Sequence, residues 1–351
     1  MLLAELGARS LDEIVGRVEL LRPREVVLPR IARLDLSDLL RVPQVATEGA
    51  TRHLRSHGLD TRNDRPGDEP FDAQLVRDAA PALDRGEAVA RSYTVTNRDR
   101  SLGAGLAGEI AHRYGDAGLP PGTVRFRFRG AAGQSFGAFT VAGTQLTLIG
   151  EAQDYVAKRM SGGELVLRPP DGDTLATDRS VIFGNTALYG ATGGAMFAAG
   201  QGGERLAVRN SGAIAVVEGC GDHGAEYMTG GVLLVLGQAG RNSNENVYSK
   251  VAYLYDPERR AADRINPGGV GIADLDADDA LWVTRLLGRH AELTGSLVAP
   301  RILAAGQNGL ASFVRVAPIA DPDVDIDVRR TALAHAEAWH GGLAAGLTPG
   351  R

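Results

Sequence analysis

Cys220, Asp222 and His223 stand together in the run CGDH. A thiol, a carboxylate and an imidazole this close are the parts of a Cys–His nucleophile, in which the ring takes the proton from sulfur. Such chemistry needs ring and thiol within hydrogen-bond reach, which a tight corner permits. The same cysteine and histidine would supply half of a tetrahedral metal site, but no second pair of ligands stands at matching spacing. Glycine runs at 103–109 (GAGLAGE), 200–204 (GQGGE) and 266–271 (NPGGVG) have the composition of phosphate-binding loops. None sits in the strand–glycine–helix unit with a later acid that such a loop requires, so they read as chain corners. Glu164, Glu204, Glu218, Asp222 and Glu226 would serve hydrolysis only if they clustered on one face, and they do not recur at a common interval. Asn185, Asn210 and Asn246 read as amides that cap turns, and Trp282 and Trp339 as core or interface anchors. The residues therefore assign this chain no cofactor-binding and no metal-ligating position, and leave the Cys–His reading open.

The totals narrow the classes further. The chain has 351 residues, of which 44% are hydrophobic, enough for a sizeable core. Its 38 basic and 43 acidic residues leave a net charge of -5, with the arginines scattered and lysine present only at Lys158 and Lys250. A nucleic-acid partner would call for a basic face, so none is expected. A single cysteine permits no internal disulfide and suits the cytoplasm. No apolar run is long enough to span a membrane, and the first ten residues lack the apolar core of a signal peptide. Glycine stands out at 46 residues, about twice the usual share.

The elements that would position these residues change character along the chain. Ser10 and Glu13 have capping-box spacing, and Leu11, Ile14, Val15, Val18 and Leu21 follow at helical intervals up to Pro23. A short element covers 34–40, turn formers dominate 57–75, and GLAGEIAHRY at 105–114 predicts a helix stopped by Gly115. From Val124 the period falls to two. VRFRF (124–128), TQLTLIG (144–150) and GELVLRP (163–169) read as strands. AMFAAG, IAVVEG, LLVLGQ and AYLYDP begin at 195, 214, 233 and 252, each 19 residues after the last, and Leu146/Leu165 and Leu148/Leu167 keep the same interval. Short strands repeating at 19 with glycine corners predict stacked coils, each strand pairing near i+19. The expected fold is mainly β: a right-handed parallel β-helix of about seven coils, with residues 195, 214, 233 and 252 in one ladder. Flanking segments are expected as an N-terminal helical and linker segment (1–75), a helical lead-in (76–123), the β-helix (124–256) and a C-terminal helical cap and tail (257–351). That last segment would hold helices over 278–295, 296–305 and 327–346.

GQSFGAF (133–139), GNTALYGATGG (184–194), ERLAVRNSGAIAVVEG (204–219) and GDHGAEYMTGG (221–231) closely resemble the C-terminal GXGXG domain of glutamate synthase large subunits. The β-helix subunit of formylmethanofuran dehydrogenases is a weaker match. LAELGARSLDEIVGRVELL (3–21) and LDLSDLL (34–40) are similar to the segment joining the FMN domain of glutamate synthase to its β-helix. LLGRHAELTGSLVAPRIL (286–303) is similar to its C-terminal helices. Two stretches depart from the family pattern: SNENVYSK (243–250) replaces a glycine-rich coil, and Ala157 and Arg159 replace glycines beside Lys158. Those losses imply reshaped loops.

The resemblance implies a non-catalytic subunit that scaffolds transfer of glutamine-derived nitrogen, as in split enzymes of the N-methylglutamate synthase type. The sequence holds no N-terminal cysteine nucleophile, no (β/α)8 FMN domain and no iron–sulfur cysteine cluster. FMN and iron–sulfur are thus expected on partner subunits and no cofactor on this chain. The implied partners are an FMN-containing glutamate-synthase-like subunit and a glutaminase subunit. The competing expectation is an independent β-helix enzyme or binding module with a different role, such as a scaffold like the β-helix subunit of formylmethanofuran dehydrogenase.

Overall fold

The computed structural model describes residues 2–14, 17–22, 35–41, 70–170, 177–241, 251–265 and 270–318. The chain divides into two compact units, Met1–Asp68 and Glu69–Arg351. In the first, α1 (Leu2–Glu5) is followed by 3-10 turns at Leu11–Glu13 and Val18–Leu20. The longer helix expected from Ser10 and Glu13 does not form. Ser10 makes no side-chain cap, and Glu13 instead accepts the N–H of Arg9 at 3.0 Å. None of the side chains described in this unit is buried, and an apolar stripe this short cannot hold a helix by propensity alone. Residues 57–69 of the expected linker lie outside the described residues. Its last residues are helical instead, within α2 (Phe71–Asp78).

The second unit is built on β1 (Val89–Val95), β2 (Val124–Ala132), β3 (Thr144–Ala152), β4 (Ser161–Arg168), β5 (Val181–Phe183), β6 (Gly193–Gly202), β7 (Ser211–Gly219), β8 (Gly230–Val235), β9 (Val251–Tyr255), β10 (Val270–Asp274) and β11 (Phe313–Pro318). They form one 11-stranded sheet in the order β1-β2-β3-β4-β6-β7-β8-β9-β11-β10, with β5 attached to β3 and β6. Pairing is parallel from β1 to β9; β11 then runs antiparallel to β9, and β10 antiparallel to β11.

This mixed sheet corrects the expectation of a right-handed parallel β-helix of about seven coils. An interval of 19 reports which neighbours pair, but not where pairing begins, where it is interrupted or how it ends. It begins earlier, at β1, inside the stretch expected to be a helical lead-in. It is interrupted between β4 and β6, where Leu165 pairs with Met196, 31 residues on. It ends with antiparallel strands, because the helices after β10 bring the chain back beside β9. The single ladder through 195, 214, 233 and 252 also breaks: Ala195 pairs with Ile214 and Leu233 with Ala252, but Ile214 pairs with Val232.

Each face of the sheet carries register rows. On the inner face, Phe126, Leu146, Leu165, Met196, Ala215, Leu233 and Ala252 lie in one row. Phe128, Leu148, Leu167, Ala198, Val217, Val235 and Leu254 lie in the next, and both rows are buried in one core. The outer rows change character across the sheet. One runs Arg127, Thr147, Val166, Phe197, Val216, Leu234, Tyr253, from charged to apolar. From β6 to β9 this outer face packs a second core against α5 (Ala277–Thr294) and α6 (Val298–Ala304). Strands buried on both faces read as continuous apolar runs, whereas β2 is solvated on one face and alternates.

Successive strands are joined by corners with an unusual backbone. Residues 135, 137 and 139 have positive φ, as do 155, 157 and 159; 186, 188 and 190; 205, 207 and 209; and 223, 225 and 227. Among these, only Gly137 and Gly190 are glycines. The first left-handed residue of a corner bonds forward, as Arg205 N–H does to Asp222 O at 2.9 Å, and the middle one bonds backward, as Ala207 N–H does to Ala187 O at 2.8 Å. Ala157 and Arg159 therefore keep the conformation of their neighbours, and the reshaped loop expected from their lost glycines is not seen there. Residues 243–250 lie outside the described residues.

α4 (Ala104–Tyr114) ends at Gly115 as its sequence predicts. With α2 and α3 (Ala80–Arg85) it supplies Leu75, Leu83, Leu106 and Ile110 to the inner core beside Phe126 and Phe128. α7 (Gln307–Leu310) leads into β11. The expected helix over 327–346, with Trp339, lies outside the described residues.

Candidate functional site

Cys220 and His223 are not brought together. Cys220 belongs to the inner core, and burial pushes its thiol up to about 11. His223 turns to Glu226, with Nδ1 2.5 Å from Oε1. Asp222 accepts the N–H of Arg241 at 2.7 Å, a bond that holds its carboxyl below the usual range. It acts as a turn cap, as Asn185 does for Glu204 N–H at 2.8 Å and as buried Asn210 does for Ala213 N–H at 2.8 Å. A thiol raised this far is about 0.1% ionised at pH 8. We therefore expect the native chain to leave Ellman's reagent unreacted and the unfolded chain to titrate one thiol. Rapid reaction of the native chain would mean that the thiol is accessible and ionised.

The run at 103–109 opens α4, and its anion position is already filled. The Asp72 carboxylate, from α2, accepts N–H groups from Gly103 (2.5 Å), Gly105 and Leu106 (3.3 Å). Burial pushes this carboxyl up against the pull of those three donors. A Cβ on Gly105 would stand 2.6 Å from Asp72 Oδ2, so glycine permits the approach. In GQGGE, a Cβ on Gly202 would meet the Phe183 ring at 2.2 Å, so this glycine serves packing.

Three polar clusters between the sheet and α5 escaped the sequence reading. At the β9 end, the Tyr253 hydroxyl donates to Asp279 Oδ1 at 2.6 Å, and Asp279 shares a capping box with Asp276 at the start of α5. Burial raises the Asp279 carboxyl. In the middle, the fully buried Glu218 accepts from the Ser296 hydroxyl at 2.5 Å and meets His290 Nε2 at 3.2 Å on the same oxygen, Oε1. Serine, histidine and glutamate here do not form a relay, because serine and histidine both bind the acid, on the same oxygen. Ser296 Oγ also accepts the N–H groups of Val298 and Ala299 at the start of α6. Trp282 is buried in this outer core, as the sequence predicts.

At the β4 end, Arg289 Nη2 lies 2.9 and 3.2 Å from the two oxygens of Glu164, which also accepts from Gln145 Nε2. This cluster forms the wall of a cavity of about 300 Å³, whose lining includes Arg125, Thr144, Glu292 and Leu293. The cavity offers paired charges for binding and no activated nucleophile. Among the described residues, no group of three or more His, Cys, Asp or Glu could hold a metal, and no helix is long and apolar enough to cross a membrane.

Comparison with known proteins places the chain in a family. Residues 72–319 match the family model described as GXGXG motif. Over 321 residues the chain is 41% identical to the NADH glutamate synthase of Schizosaccharomyces pombe, covering 90% of this chain and 15% of that protein. It is 42% identical over 323 residues to ferredoxin-dependent glutamate synthase 1 of Arabidopsis thaliana, and 40% over 318 residues to the NADPH glutamate synthase large chain of Azospirillum brasilense. Those alignments cover 92% and 90% of this chain and 20% of each relative. The chain thus spans a fifth or less of the length of these relatives. Glycine at alternate positions is what a corner with left-handed angles at alternate positions calls for, and the corners at 135–139 and 186–190 retain part of that pattern. By the match over residues 72–319, the chain belongs to the GXGXG motif family, and the relatives named here are glutamate synthases.

Proposed function

We propose that this chain is a non-catalytic subunit of a glutamate-synthase-like complex in the cytoplasm, where it scaffolds transfer of glutamine-derived nitrogen between a glutaminase subunit and an FMN-containing subunit. FMN and iron–sulfur would reside on those partners. The observation that carries this reading is the use to which the reactive side chains are put: Cys220 lies in the core, His223 is bound to Glu226, and Glu218 and Asp279 fasten helix α5 to the sheet. The similarity to three glutamate synthases supplies the context.

The first unit bears on assembly. Leu2, Leu6, Leu11, Leu20, Leu21 and Leu39 are exposed, and apolar side chains gathered in a short segment suit a partner surface. Deleting residues 1–45 is therefore expected to weaken recovery of the flavoprotein subunit in a pull-down while circular dichroism shows the sheet retained. Equal recovery by full and truncated chains would remove this docking role. If the full chain recovers neither subunit, the scaffold reading fails.

A further inference from the structure

Among the described residues, the outer face of the sheet packs against α5 and α6 over β6–β9, whereas the outward residues of β1 and β2 are exposed. On β2 the outward residues Arg125, Arg127 and Arg129 are all exposed. Their register neighbours are Ala90, Ser92 and Thr94 on β1 and Gln145, Thr147 and Ile149 on β3. Among the described residues, no carboxylate pairs with any of the three, whereas Arg113, Arg259 and Arg289 each hold one. An acidic chain thus keeps three like charges in a row, about 6.6 Å apart at the parallel-strand repeat. One end of the row enters the cavity of about 300 Å³, where Arg125 faces Gln145, Glu164 and Arg289. Gly122 lies close against that guanidinium, since a Cβ there would sit 2.8 Å from Nη2.

We propose that this arginine row is a docking surface for an extended acidic segment of a partner protein, with carboxylates at alternate positions along the row and the end side chain seated in the cavity beside Arg125. Spacing and charge carry the proposal. Alternate residues of an extended strand repeat at the same distance as alternate arginines of β2, and arginine is enriched where interfaces pair charges. A nucleic acid fits less well, because three arginines on one strand make a row too short for the basic face that a phosphate backbone needs. The surface stands by itself, while the identity of its occupant rests on the assembly proposed above.

The test uses the full chain and a labelled synthetic peptide with glutamate at alternate positions and threonine between. Fluorescence anisotropy should show binding that weakens with salt. Replacing the row (Arg125→Gln, Arg127→Gln, Arg129→Gln) should weaken it about tenfold or more, from three exposed charge pairs of modest worth each. The double variant Arg205→Gln, Arg209→Gln should bind as before, and a lysine version of the peptide should not bind. Absence of binding, equal binding by the triple variant with its unfolding midpoint unchanged, or tighter binding of a single-stranded oligonucleotide that the triple variant abolishes would overturn the surface. A pull-down with the flavoprotein and glutaminase subunits separates the two proposals. Recovery lost in the triple variant assigns the row to that assembly. Recovery unchanged in it overturns this occupant and leaves the scaffold reading standing. No recovery by the unsubstituted chain overturns the scaffold reading and leaves the peptide result intact.

Discussion

Gly150→Ala is expected to cost at least about 3 kcal/mol of unfolding free energy, and Gly190→Ala about 1 kcal/mol or less. Both glycines have positive φ, 146° and 63° respectively. They differ in what a side chain would meet. A Cβ on Gly150 would stand 1.9 Å from the carbonyl oxygen of Gly130, its register partner on the neighbouring strand. Backbone cannot yield as a flexible side chain does, so β2 and β3 would have to separate and lose ladder bonds on either side. A Cβ on Gly190 would find its nearest atom, Arg159 Cγ, at 3.9 Å. There the cost is the left-handed angle alone, partly offset because alanine restricts the unfolded chain. Urea unfolding of the two variants decides the matter. Equal midpoints would show that the close approach at Gly150 is not what fixes glycine there.

The second large effect is expected at Glu218. Glu218→Ala should destabilise the fold by about 3 kcal/mol or more, since two buried groups lose their partner at about 1–3 kcal/mol each. It strips the acceptor from the Ser296 hydroxyl and from the His290 ring in a site with no exposed surface on either Glu218 or His290. Glu218→Gln keeps an oxygen in place and should cost less than half as much. Ser296→Ala should cost about 1–2 kcal/mol, because that hydroxyl also caps the start of α6. The informative measurement is a double-mutant cycle between Glu218 and His290 by urea unfolding, with amide exchange of α5 followed alongside. Additive losses would mean that the two side chains do not act together, and protection of α5 unchanged in Glu218→Ala would mean that this cluster does not fasten the helix.

What could be read in the sequence followed from how locally each feature is encoded. The pairings Leu146–Leu165, Leu148–Leu167, Ala195–Ile214 and Leu233–Ala252 were legible because like residues stack in neighbouring strands. β1 was not legible, because it pairs with β2 across 35 residues and keeps no common interval with the later strands. The antiparallel end was equally hidden, since it depends on where three helices return the chain. The Ser10–Glu13 spacing misled because a capping box presupposes a helix with something to pack on. At the candidate site, spacing drew attention to Cys220 and His223, which the fold keeps apart. The side chains it does bring together, Glu164 with Arg289 and Glu218 with His290, lie 125 and 72 residues apart in the chain. A trace of the second pair was present all the same: Glu218 interrupts the apolar run IAVVEG, and a charge inside a strand buried on both faces must find a partner.

The corners carry a consequence for how such a chain can change. Their first and last left-handed residues include serine, phenylalanine, tyrosine, arginine, threonine and histidine, so side-chain identity at those ends is loosely constrained, whereas the middle residues Ala157, Leu188, Ala207 and Ala225 are buried in the core. Their backbone bonds, however, reach alternately to the repeat ahead and the repeat behind. Adding or removing one residue would reverse that alternation and leave both neighbours with unmatched donors. Substitution is thus cheap at the corner ends, and change of length is costly. The corners work as a counting device, fixing the number of residues between strands while leaving the chemistry of their outer positions free.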